Sequence, residues 1–292
     1  MVEYNYMENS KSHAFESLTP DLIMDAVENC GFLTDGRLLA LNSYENRVYQ
    51  VGIDQSEPLI AKFYRPNRWT SEQILEEHQF CFQLQDQELP VVCPIMDNQD
   101  SSLFNHQGFR FSLFPRRGGY APELDNLDNL LILGRLLGRF HAIGATQPFT
   151  VRPKLDIQTF GWQSFNIISE QFIPAELRTA YDSLVPDVLT KCQAIFDDFG
   201  EPNWIRVHGD CHSGNILWRD GPLFVDLDDA RNGPAVQDLW MLLHGGINEQ
   251  RLQLDILLEA YGEFAEFDTR QLSLIEPLRA MRMVYYLAWV AR

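Results

Sequence analysis

From Val207 to Asp229 the chain reads VHGDCHSGNILWRDGPLFVDLDD, and its tightest constraint is the dipeptide Asp220-Gly221. Asp-Gly between two apolar runs, here ILW before and LFV after, is a strong short-range signal for a β-hairpin. If those two residues form the loop, Arg219 faces Pro222, and the register runs back until Asn215 stands opposite Asp226, their Cβ atoms about 5 Å apart. Pro222 donates no ladder hydrogen bond, which admits a small register shift. An amide oxygen and a carboxylate so placed are hard ligands for one divalent ion. Mg2+ takes few such oxygens from protein and the rest from water and phosphate. Asp210, five residues before Asn215, falls on the approach loop, where it reaches a cleft without joining the hairpin.

A rival metal site sits in the same stretch. His208, Asp210 and His212 alternate as H-x-D-x-H, a spacing that suits zinc or a dinuclear hydrolytic centre on a strand face. No second histidine cluster follows, and that reading leaves Asn215 and Asp226 without a role. His212 alone reads as a loop hydrogen-bonder. Asp228 and Asp229 read as solvated or supporting carboxylates, Asp228 with a secondary claim on the metal.

The 292 residues, 45% of them hydrophobic, suffice for a sizeable core divided between two lobes. The 23 basic and 41 acidic residues give a net charge of −18, which argues against nucleic acid as a partner. Five scattered cysteines without a C-x-x-C pair argue against a disulfide framework or zinc ribbon and for a reducing cytoplasm. The N-terminus, MVEYNYMENSKSHAFESL, lacks the basic-then-apolar pattern of a signal peptide. No apolar run reaches the roughly 18 residues of a membrane span. The expectation is a cytoplasmic monomer with no membrane partner.

Strand-like runs dominate the first part of the chain: Arg47–Ile53, Pro58–Tyr64, Val91–Met96, Ser102–Asn105 and Phe109–Phe114. One prominent helix interrupts them, opened at Thr70 by the capping-box pattern T-S-E-Q. Pro115-Arg-Arg-Gly-Gly119 reads as a linker. Helical patterns follow over Leu127–Ile143, parts of Phe165–Phe196, Val236–Gly245, Arg251–Phe264 and from Ser273 onward. Gly134 and Gly138 read as close-packing positions in a soluble helix. The fold class expected is α+β and two-lobed: a strand-rich nucleotide-binding lobe over 1–114, a connector over 115–119, and a helical lobe carrying the catalytic loop over 120–292, with a cleft between the lobes. The last helical pattern stops at Arg292 without a cap, which suggests that the native chain runs on.

H-x-D-x-x-x-x-N, then a hairpin and an apolar-flanked Asp, resembles the catalytic loop and metal-binding pattern of protein kinases. With Gly209 after the histidine and V-D-L-D-D in place of D-F-G, the likeness is to the protein-kinase-like, aminoglycoside phosphotransferase-like branch typified by aminoglycoside and choline kinases. That resemblance implies ATP and Mg2+ as cofactors. Asp210 would accept the proton of the substrate hydroxyl, and Asn215 and Asp226 would hold Mg2+, with Asp210 and Asp226 the catalytic pair. His208 would buttress the loop, and Asp238, in A-V-Q-D-L-W, would hydrogen-bond the loop backbone.

A kinase also needs a cation on the ATP phosphates and a carboxylate to hold it. Lys62, in the apolar strand PLIAKFY, is the cation, although an edge lysine in solvent would read the same. Among Glu72, Glu76 and Glu77, only Glu77 shares a helical face with Ile74, Cys81 and Leu84. A carboxylate there is costly without a partner, so Glu77 is paired with Lys62. The phosphate lid, NSYENRVYQV, departs from G-x-G-x-x-G. Its turn amides, the Ser43 hydroxyl and the Asn46 amide are the candidate phosphate donors, against an ordinary polar turn.

NSYENRVYQV, AKFYRPNRWTSEQILEEHQF and HGDCHSGNILWRDGPLFVDLDDARNGPAVQDLWMLL together resemble the bacterial stress response kinase A family, from about Leu18 to the end of the chain. The resemblance implies a cytosolic serine/threonine protein kinase linked to stress, and hence a protein acceptor. Two readings stay open: a small-molecule hydroxyl kinase for an amino alcohol, sugar or antibiotic, and a non-catalytic nucleotide-binding regulator. Arg65, Arg68, Arg116 and Arg117 flank the cleft mouth or are solvated loop charges, and the acidic remainder would steer basic acceptor segments.

Overall fold

A computed structural model describes residues 15–200 and 204–291. The chain divides into two compact units: residues 1–82 with 92–118, and residues 83–91 with 119–292.

The first unit is built on α1 (Pro20–Asn29), β1 (Thr34–Leu41), β2 (Arg47–Ile53), β3 (Leu59–Phe63), α2 (Ser71–Asp86), β4 (Phe104–His106) and β5 (Phe109–Pro115). Its sheet is antiparallel with strand order β1-β2-β3-β5-β4. The buried stripe Leu22, Ile23, Ala26 and Val27 of α1 joins the sheet residues Val51, Ala61, Phe63, Phe111 and Leu113 in one core. α2 opens with the expected reciprocal cap: Gln73 N–H donates to Thr70 Oγ1 (3.2 Å) and Thr70 N–H to Gln73 Oε1 (2.9 Å).

Two expectations need correction here. α1 is a second helix in the strand-rich part; it is capped by Thr19, whose Oγ1 accepts from Leu22 N–H, with Pro20 as its first residue. Residues 91–96 form no strand beyond a single bridge from Val91, because Pro90 and Pro94 have no N–H to donate to a ladder.

The second unit contains α3 (Leu127–Gly144), α4 (Gln163–Gln171), α5 (Ala175–Phe199), β6 (Ile205–Val207), β7 (Ile216–Trp218), β8 (Pro222–Phe224), β9 (Arg231–Gly233), α6 (Val236–Trp240), α7 (Ile247–Tyr261) and α8 (Ile275–Ala291). α6 is shorter than its sequence pattern suggests. Arg292 lies outside the described residues. No described helix is long and apolar enough to cross a membrane.

α3 and α7 pack closely because of two glycines. A Cβ on Gly134 would fall 2.5 Å from the Leu257 carbonyl oxygen, and one on Gly138 would fall 2.6 Å from that of Tyr261. Both obstacles are backbone, so nothing yields cheaply. Gly134→Ala is therefore expected to lower unfolding free energy by about 1–3 kcal/mol despite alanine's better helix propensity, as read by urea denaturation. Wild-type stability in that variant would contradict the packing argument.

Candidate active site

β6 pairs antiparallel with β9 (Ile205↔Gly233, Arg206↔Asn232, Val207↔Arg231) and delivers the chain to His208, Gly209 and Asp210. Gly209 has φ +82, and a Cβ there would run into the Asp229 carbonyl oxygen. Only glycine meets both conditions, which accounts for H-G-D. The loop is fixed from α6. Asp238, fully buried, accepts from His208 N–H (2.7 Å, Oδ2) and Gly209 N–H (2.9 Å, Oδ1). Gln237 donates to the Gly209 carbonyl at 3.0 Å. The sequence reading missed a third partner of Asp238: His141 of α3 lies 3.0 Å away through Nε2, with Nδ1 3.1 Å from the Tyr261 hydroxyl. The His208 ring is fully buried, Nε2 against the Val225 carbonyl at 3.1 Å, with Phe140 and Phe224 beside it.

Asp210 is one-fifth exposed at its side chain. Its Oδ1 accepts from Arg282 Nη2 of α8 at 2.5 Å, its Oδ2 lies 3.5 Å from His212 Nε2, and Asn215 Nδ2 donates to its carbonyl (2.9 Å) and to Oδ2 (3.3 Å). Burial pushes this carboxyl up, but the His212 hydrogen bond and the charges of Arg282, His212 and His208 outweigh burial and hold it well below the usual carboxylate range. The group is an ionised acceptor at neutral pH. His212 also accepts from Gly214 N–H through Nδ1 (2.9 Å). Among the described residues no group of three or more His, Cys, Asp or Glu side chains is placed to hold a metal ion, so the H-x-D-x-H centre does not form.

The hairpin exists with a different register. Ile216 pairs with Phe224, Leu217 with Leu223 and Trp218 with Pro222, so the loop is the three residues Arg219, Asp220 and Gly221. Pro222 sits in the ladder without donating, and Arg219 N–H instead turns to the Gly221 carbonyl at 3.3 Å. Gly221, at φ +135, supplies the reversal. One residue of slip exchanges every facing pair. Asn215 is therefore met by Val225, whose N–H donates to the Asn215 carbonyl at 3.0 Å. The ladder does not set Asn215 and Asp226 face to face. Asp226 has left the strand, in the left-handed region at φ 61 and ψ 64, and is exposed. A non-glycine residue in that region is a strained placement of the kind concentrated at functional sites.

The donor set still suits a hard cation. Both acceptors of the Asn215 amide nitrogen are Asp210 oxygens, which fixes the amide's orientation. Its Oδ1 has no hydrogen-bond partner among the described residues. Beyond Asp226, the acidic run is tied down by arginines. Arg152, buried, donates to the Asp228 and Ala230 carbonyls, and Arg231, also buried, to the Asp229 carbonyl and carboxylate. Asp228 is buried and Asp229 is ion-paired to Arg231 at 2.5 Å, so neither is a solvated charge.

In the first unit, Lys62 lies on β3, the middle strand of five, and is 8% exposed; it is not an edge lysine. Its Nζ lies 5.9 Å and 6.0 Å from the Tyr64 and Phe114 ring centroids. Glu77 is 4% exposed on the same buried face as Ile74, Cys81 and Leu84, while Glu72 is exposed and Glu76 half-buried. Both charges act on Cys81. Its thiol is pushed well up by the Cys93 hydrogen bond and burial, with Glu77 adding and Lys62 opposing. Asn46 is buried, its amide oxygen accepting from Arg65 N–H at 3.0 Å; Ser43 is half-buried. Glu45 pairs with Arg68 at 2.6 Å, which holds that arginine, whereas Arg116 is exposed and donates to Gln50 at 3.0 Å.

A family model described as the phosphotransferase enzyme family matches residues 37–275, and the chain belongs to that family. Within it, the relatives are stress response kinases. The chain is 50% identical to stress response kinase A of Escherichia coli strain K12, over 97% of this chain and 86% of that protein. It is 48% identical to serine/threonine protein kinase RdoA of Salmonella typhimurium strain LT2, with the same coverage. Among solved structures, amicoumacin kinase hAmiN in complex with AMP-PNP, Ca2+ and Ami aligns with TM-score 0.74 at 16% identity, over 90% of this chain and 84% of that one. A microcompartment-associated aminopropanol kinase aligns at 0.68 and 17%, over 93% and 89%. The fold is thus the α+β aminoglycoside phosphotransferase-like one.

Asp238→Ala removes the acceptor of two buried N–H groups and the partner of His141, and is expected to cost about 3 kcal/mol of stability. Asp238→Asn, which keeps one acceptor oxygen, should lose less. Urea unfolding of both variants reads the difference, and an Ala variant within about 0.5 kcal/mol of wild type would contradict this account of the loop.

Proposed function

We propose that the chain transfers the γ-phosphoryl group of ATP to a serine or threonine hydroxyl of a protein in a stress response. The observation that carries the chemistry is Asp210: an ionised carboxylate on a loop whose backbone is pinned by Asp238, with Asn215 anchored to it. Its role is to accept the hydroxyl proton as the acceptor oxygen attacks. Asn215 Oδ1 and the Asp226 carboxylate would hold Mg2+, which would supply positive charge against the phosphates. Lys62 carries the positive charge for the nucleotide phosphates, and Glu77 holds that ammonium in place. In the lid, Ser43 and the turn amides are the phosphate donors; Asn46 supports them by tying the turn to Arg65.

The protein acceptor draws support from the 48% identity to the serine/threonine protein kinase of Salmonella. A small-molecule hydroxyl acceptor is the second reading, supported by neighbours that are kinases of amicoumacin and aminopropanol. A non-catalytic regulator is disfavoured, since the chain keeps each residue of the motif to which transfer is assigned above.

Asp210→Asn is expected to leave ATP binding near wild type and lower kcat by roughly 10²–10⁴-fold. Asp226→Ala should weaken Mg2+-dependent nucleotide binding, and Lys62→Met should lower transfer through nucleotide positioning. Transfer from radiolabelled ATP to a generic protein and an alcohol panel, beside nucleotide titration, separates these. An Asp210→Asn enzyme retaining most of its transfer would overturn the base assignment.

A further inference from the structure

Asp210 and Arg282 are 72 residues apart, and no local pattern predicts their contact. α8 turns Leu278, Met281 and Val284 into the core of the second unit, which carries Arg282 to the Asp210 carboxylate at 2.5 Å. One guanidinium nitrogen is used there; the others have no hydrogen-bond partner among the described residues, and the side chain is one-third exposed. The guanidinium is thus held at one edge with donors to spare. A planar fork of that kind is suited to carboxylate or phosphate.

The nearby anions are committed elsewhere. Asp229 is paired to Arg231, and Asp228 is buried, with Arg152 donating to its backbone carbonyl. Asp226 belongs to the cation in the reading above. His212, 43% exposed beside Asp210, contributes no negative charge. The partly exposed group in contact with the Asp210 carboxylate is therefore a cation, in a chain whose net charge is −18. Screening weakens the effect of acidic charges more than about 8 Å away, whereas Arg282 acts at contact.

We propose that Arg282 is a specificity-determining residue that selects acceptors carrying an anionic group beside the hydroxyl: a serine or threonine flanked by an acidic side chain in preference to one flanked by lysine. This deepens the proposed function and rests on Asp210 being the base. It also separates this site from one built for amino alcohols, because an acceptor ammonium would meet the guanidinium.

The test uses the full chain with ATP, Mg2+ and three peptides that differ only in the residue beside one serine, which is Glu, Gln or Lys. kcat/KM is measured for wild type, Arg282→Gln, Arg282→Glu and Arg282→Lys. Wild type is expected to favour the Glu over the Lys peptide roughly tenfold. Arg282→Gln should bring that ratio toward one, Arg282→Glu should invert it, and Arg282→Lys should retain its direction. A ratio between peptides cancels a general loss of activity, so a Gln variant that slows all three equally marks a purely positioning residue and overturns the proposal. So does a wild type without preference, or one that phosphorylates an added amino alcohol but no peptide. Those failures leave phosphoryl transfer standing, whereas no transfer to any acceptor would remove the kinase reading together with this one.

Discussion

A carboxylate with no exposure to water holds the His208–Asp210 loop in place. Buried alone, Asp238 would cost several kcal/mol; bound by two backbone N–H groups and His141, it becomes the fixed point for the loop. Gln237 grips the Gly209 carbonyl from the same short helix, so consecutive α6 residues hold both the N–H and the C=O of Gly209, the residue before Asp210. Gly209 permits the bend, and His141 connects the anchor through Tyr261 to α7, the helix that the glycines of α3 bring close. Geometry at Asp210 is thereby a property of three helices and one sheet pair.

Charge in the second unit is organised around the acidic run that follows the hairpin. Arg152, distant in sequence, and the neighbouring Arg231 bind the carbonyls of Asp228 and Asp229, and a third arginine, Arg282, binds Asp210. Two of the three are buried, where an unpaired guanidinium would be prohibitive. The backbone oxygens of the run satisfy the two buried cations. Asp226, in the left-handed region and exposed, stands at the start of this run.

Much of this was legible in the sequence where one period or one spacing decides the matter. Glu77 is distinguishable from Glu76 because a helix repeats every 3.6 residues, and the buried face follows that count. Asp210 and Asn215, which the structure joins by hydrogen bonds, are close in sequence, so the motif carries them. The hairpin register was not legible. A two- and a three-residue loop differ by one residue, which exchanges all facing pairs, and the choice turned on a proline that cannot donate. His141 reads as a lone histidine in an apolar helix, and Arg282 as a surface charge; their partners lie 97 and 72 residues away. Such contacts are created by tertiary packing and leave no local pattern.

The central claim is that Asn215 Oδ1 and the Asp226 carboxylate share one hard cation although no strand ladder sets them opposite each other. A crystal structure of the protein with AMP-PNP and Mn2+, with anomalous scattering collected at the manganese edge, tests it directly. The account predicts a peak about 2.1 Å from both oxygens, with Asp210 free of the metal. A metal bound through Asp210 and His212, or one that leaves Asn215 without a ligand bond, would contradict it.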